Sequence, residues 1–164
     1  MKTNKGFSLI EVLVTLLLTS IGILGMIAMQ TKAIAYTQDS IQRNTAATLV
    51  DELMEIMRAD QDKILTINGR PREVSDSDYY KKSGDPFPEA ADDCSNLPDN
   101  PAERLGCWVQ RAEQRLPGVT ELLTNEFHIQ PKNATIEVQV AWSVAEGACD
   151  QESTVCHYRL RAEL

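Results

Sequence analysis

Aromatic residues make up only 5% of this 164-residue chain, and its cations never cluster. Nucleic-acid binding needs grouped Lys and Arg to neutralise phosphates. With a formal net charge of −8, that class of partner is excluded, and the acidity reads as solubility of a solvated domain. Internal repeats and low-complexity tracts are missing. So are the motifs of catalysis: there is no G-x-S-x-G, no P-loop and no HExxH. His128 and His157 stand on expected strands with no motif around them. No catalytic residue, metal ligand or cofactor is assigned, and the chain is expected not to be an enzyme. The cysteine spacings are not C-x-x-C, which argues against zinc. Asp76, Asp78, Asp85, Asp92 and Asp93 lack EF-hand spacing and read as a solvated loop. Asn133-Ala134-Thr135 has the form of an N-glycosylation acceptor, a match too short to carry an assignment. Proline is absent before Pro71.

What the chain does have is one long apolar run. From Phe7 to Met29 the residues are dominated by Leu, Ile, Val, Met, Ala and Gly, with Glu11, Thr15, Thr19 and Ser20 among the interruptions. About 23 residues suffice to cross a bilayer as a helix. Lys2 and Lys5 precede the run, so the N-terminus is expected in the cytoplasm and the remainder outside. Cys94, Cys107, Cys149 and Cys156 all lie far from this run. An even count there predicts two disulfides and an oxidising compartment. Of the three connectivities, Cys94–Cys107 with Cys149–Cys156 is favoured, because each pair closes a short loop.

Three readings of the run compete. A secretory signal peptide would find an A-x-A-like site at Ala33-Ile34-Ala35, but the run is longer than the usual signal core and carries Glu11. A plain single-pass anchor leaves Glu11 unexplained, since ionisable residues in membrane segments are costly and tend to be functional. The third reading gives Glu11 a role. Lys5-Gly6-Phe7-Ser8-Leu9-Ile10-Glu11-Val12-Leu13 resembles the type IV prepilin signal nearly position by position. That family has a basic leader ending in Gly, then Phe, then an apolar helix with Glu at the fifth mature position. The resemblance implies cleavage after Gly6 by a prepilin peptidase, N-methylation of Phe7, and pairing of the Phe7 amine with Glu11 of a neighbouring subunit during assembly. It implies as partners the other major and minor pilins and the inner-membrane assembly machinery. Many major pilins bend this helix with a Pro at the twenty-second mature position, where this chain has Ala28.

Beyond Met29 no Gly or Pro occurs until Gly69. Ile34, Ile41, Thr45, Leu49, Leu53, Ile56 and Met57 mark one apolar face of a continuing helix. Arg70 to Pro98 reads as a long irregular connection. A short helix follows, with Asn100 as cap, Pro101 in the first turn and Pro117-Gly118 as the stop. The order Cys107-Trp108, then Leu116-Pro117-Gly118, resembles the PilV-like minor pilins. Phe127 and Ile129 suggest a strand. Ile136, Val138, Val140, Trp142 and Val144 alternate with Glu137, Gln139, Ala141 and Ser143 as a half-buried strand, and Val155 to Leu164 forms another.

The expected fold is α+β: a long membrane-spanning helix packed on a small antiparallel sheet, pilin-like, with an extra helix and two disulfides. The expected divisions are a leader at 1–6, a membrane and filament-core helix at 7–29, its amphipathic continuation at 30–58 and a periplasmic head at 59–164. The leading function is a structural minor pilin that primes or caps filament assembly. Its alternatives are a minor pseudopilin of a type II secretion system, and a membrane-tethered binding module or enzyme with a plain signal anchor. A tip adhesin would require a binding surface in Arg70 to Pro98.

Overall fold

The computed structural model describes residues 8–144, 149 and 153–163. The leader, Lys2, Lys5 and Phe7 therefore lie outside the described residues. The chain divides into two units, Met1–Gln38 and Asp39–Leu164. Helix α1 (Leu9–Ala59) begins in the first and ends in the second.

In the second unit, α1 buries Ala46, Leu49, Val50, Leu53, Met54 and Met57. Steps of three and four place all six on one side of the helix. Each of the five larger side chains, Leu49, Val50, Leu53, Met54 and Met57, contributes about 1.5–3 kcal/mol of burial. Ile34 and Ile41, expected on that stripe, are instead exposed; the core begins only at Ala46. After α1 come a single turn, α2 (Gln61–Ile64), and a 3₁₀ turn at Val74–Asp76. The Asp60 carboxylate accepts from Tyr79 Oη and Arg104 Nη1, tying the end of α1 to the following connection and to α3 (Pro101–Arg115).

Helix α3 starts as its sequence dictates. The Asn100 side chain accepts from Ala102 N–H at 3.0 Å, with Pro101 in the first turn. Trp108 is fully buried, and its Nε1 donates to Leu49 O at 2.8 Å. Gly106 lets the backbone of Glu89 and Ala90 lie directly on α3, where any Cβ would overlap it. Leu116 is extended, as the residue before a proline prefers. Gly118 then adopts φ 64° and starts a helix that the sequence reading passed over, α4 (Val119–Glu126). Its signal was present: Val119, Leu122 and Leu123 have i, i+3, i+4 spacing.

Three antiparallel strands follow in order: β1 (His128–Lys132), β2 (Thr135–Ser143) and β3 (Val155–Ala162). Lys132 pairs with Thr135 across a turn in which Asn133 has φ 60°. That left-handed position suits Asn and accounts for Asn133 without any modification. Strand β3 ends at Ala162, short of Leu164. Disulfides link Cys94 to Cys107 and Cys149 to Cys156. The result is the expected α+β, pilin-like arrangement.

One expectation fails clearly. Strand β2 is buried on both faces, not half-buried. Ile136, Val138, Val140 and Trp142 join the core, while Glu137, Gln139 and Ala141 on the opposite face are covered too. Helix α4 packs on β2, and Gln139 Nε2 donates to Glu126 O at its end.

Candidate functional site

In the first unit, every described residue is solvent-exposed, including Leu9, Leu17, Ile21 and Leu24. The first part of α1 is long and apolar enough to cross a membrane. Its hydroxyls do not spoil that character. Thr15 Oγ1 donates to Val12 O at 2.8 Å, Thr19 Oγ1 to Thr15 O at 2.9 Å and Ser20 Oγ to Leu16 O at 2.7 Å. Each interruption is thus satisfied within the helix, as hydrocarbon surroundings demand.

Glu11 is the exception. It is the sole charged residue between Leu9 and Thr31, and its side chain is exposed. No cation among the described residues pairs with it. Its backbone N–H donates to Ser8 O at 3.0 Å, so the carboxylate sits in the first turn of α1. There the positive end of the helix dipole favours an anion. Ser8-x-x-Glu11 also has capping-box spacing, a local reason for Glu at this position that the sequence reading missed. The carboxylate has a favourable place on its own helix and spare capacity to accept from a cation.

The second unit holds a separate polar centre. Glu137 on β2 is 2% exposed and accepts from Arg161 Nε, from His128 Nε2 at 3.2 Å and from Lys132 Nζ at 3.5 Å. Burial alone would raise its pKa; the bonds from Arg161 and His128 and the charges of Arg161 and Lys132 overcome that and hold it at about 2. Burial pulls His128 below the ordinary histidine range, against the pull of Glu137. Lys81 is buried too. Its Nζ donates to the carbonyls of Leu123, Thr124 and Phe127 at 2.7–2.9 Å and lies 4.9 Å from the Phe87 ring centre. Burial draws it down to about 8. These groups tie together α4, the strands and the connection before α3.

A cleft of about 550 Å³ opens beside the Cys94–Cys107 loop, lined by Glu52, Ile56, Leu97 and Arg111 among others. Arg111 Nε already pairs with Glu52 at 2.6 Å. Asp39, Cys149 and Cys156 bring possible metal-ligand atoms together, but both sulfurs are spent in a disulfide. His157 pairs with Glu126 at 2.8 Å.

Residues 1–27 match the family model of the prokaryotic N-terminal methylation motif. The chain carries the signal of a type IV pilin-type prepilin. Neither the curated proteins nor the solved structures yield a match.

Proposed function

We propose that this chain is a minor pilin of a type IV pilus, a structural subunit and not a catalyst. The observation that carries the reading is Glu11: inside a methylation motif, in a helix whose hydroxyls satisfy themselves, one carboxylate alone seeks an external cation. Cleavage after Gly6 creates such a cation, the α-amino group of Phe7. N-methylation leaves that amine able to carry its charge. In a filament the Phe7 amine of one subunit meets Glu11 of its neighbour, and the pairing sets axial register while the apolar helix faces pack.

The prepilin stage sits in the inner membrane, with residues 1–6 as leader and residues 7–29 spanning. Residues 30–58 continue the helix, and residues 59–164 form the head on the periplasmic side. Its partners are the prepilin peptidase, the other pilins and the assembly machinery. The N-terminal motif serves minor pseudopilins of type II secretion systems equally. The two disulfides and the long connection of the head favour the pilus, and the PilV-like assignment rests on Cys107-Trp108 and Leu116-Pro117-Gly118 alone.

Glu11→Ala tests the assembly role. Removing one partner of a desolvated ion pair costs about 3 kcal/mol or more, roughly a hundredfold in an incorporation equilibrium. The variant should still be processed yet nearly vanish from sheared, purified pili. Wild-type levels of the variant in filaments would refute the role. Wild-type protein that stays in the envelope of a piliated cell would place the chain in the secretion-system class.

A further inference from the structure

The two edges of the sheet differ. Strand β1 has five residues, includes Pro131, and is closed by reciprocal bonds between Lys81 and Ile129 at 2.8 and 2.9 Å. Proline and a covering segment are ordinary devices for protecting an edge. Strand β3 has eight residues and no proline. Among the described residues only its first residue is closed locally, with Val155 N–H donating to Ser153 Oγ and Val155 O accepting from it.

The hydrogen-bond phase of β3 follows from its neighbours. Val144 N–H donates to Thr154 O, whereas Ser143 N–H turns away from β3 to Pro117 O. With Ser143 opposite Val155 in an unbroken register, the antiparallel alternation directs the backbones of Cys156, Tyr158, Leu160 and Ala162 toward β2. The N–H and C=O groups of His157, Arg159 and Arg161 point outward. Among the described residues, no backbone hydrogen bond meets them.

The side chains specify the occupant. His157, Arg159 and Arg161 are exposed on one face, and Tyr158, Leu160 and Ala162 are half-buried at the margin of the core on the other. Arg161 and His157 are matched by Glu137 and Glu126. Arg159 is not: its guanidinium donates to the neutral Gln139 Oε1, 2.9 Å from Nε. In a chain of net charge −8, this edge presents cations. A second copy of β3 would set arginine against arginine, a destabilising pairing.

We propose that the outer edge of β3 accepts an extended segment of another protein, with a carboxylate opposite Arg159 and apolar residues on either side of it. The incoming strand would bond to the outward groups of His157, Arg159 and Arg161. Its apolar side chains would cover Tyr158 and Leu160, and its carboxylate would neutralise Arg159. The site does not depend on the N-terminal motif.

The full-length chain in detergent micelles tests this with two synthetic eight-residue peptides. One alternates Glu with Val; the other has Lys in place of Glu. Amide hydrogen exchange is followed at single residues, with either peptide present up to about 1 mM, the range of weak contacts. The Glu peptide should slow exchange at His157, Arg159 and Arg161 and leave β1 unchanged. It should bind about fivefold more tightly than the Lys peptide, as opposite-charge cross-strand pairs allow. Arg159→Glu should reverse that preference, while His157→Pro, which deletes an outward N–H and no ladder bond, should abolish the slowing. No slowing by either peptide, equal slowing by both, or protection elsewhere than β3 would overturn the proposal.

Discussion

Replacing Glu137 by Gln keeps the side-chain shape and removes the charge. The carboxyl titrates at about 2 in the folded chain against 4.5 ordinarily. That gap corresponds to about 3 kcal/mol of preference for the ionised form. A folded-state pKa below the unfolded one means that the unfolded chain binds the extra proton. The contribution is therefore complete above pH 4.5 and is lost as pH falls toward 2. Trp108 and Trp142 are both fully buried in the second unit, so their fluorescence follows its unfolding in urea. In detergent at pH 7, Glu137→Gln should lower stability by about 3 kcal/mol. The difference should shrink steadily below pH 4.5, because acid gives the wild type the neutral group that the variant already has. Asp60 is also held below the ordinary carboxylate range; burial opposes this, but bonds from Tyr79 and Arg104 prevail. Its acid loss affects both proteins and cancels in the comparison. A difference at pH 7 below about 0.5 kcal/mol, the range of ordinary surface changes, would refute the reasoning. So would a gap that stays constant down to pH 2.

Lys81→Met removes the donor shared by three carbonyls. The loss should be about 2–4 kcal/mol in the same urea assay, with faster amide exchange at Ile129 and along α4. Gly106→Ala places a methyl group against the Glu89 backbone and should cost at least about 1 kcal/mol, despite alanine's better helix propensity. A stabilised variant would contradict the close approach. Replacing Cys94 and Cys107 together by Ser opens a loop of sequence separation 13, worth about 3 kcal/mol in the chain-entropy model; thermal unfolding with intact Cys149–Cys156 measures it.

What could be read from residues alone follows physical locality. The cap at Asn100, the stop at Pro117, the alternation of β2 and the two short cysteine loops are each decided within a few neighbours. The burial of Glu137 and Gln139 is not, because it depends on α4 and Arg161 arriving from distant parts of the chain. Polar residues at alternate positions look solvent-facing when their covering layer cannot be foreseen. The same limit applies to Ile34 and Ile41, whose spacing fits the apolar stripe although the core begins only at Ala46. Helix α4 differs, since its spacing was visible in Val119, Leu122 and Leu123 and was eclipsed by the stop signal before it. At the N-terminus the methylation motif itself was legible, because residue identity and spacing carry that signal. The structure added the self-bonded hydroxyls and the first-turn position of Glu11.

Mass spectrometry of the N-terminus of the membrane-extracted protein tests the central claim most directly. A chain beginning with N-methylated Phe7 is the predicted result, and it would establish maturation as a pilin-class subunit. A chain beginning at Met1 would mark an ordinary anchor, and one beginning at Tyr36 a secreted protein; either would contradict the account.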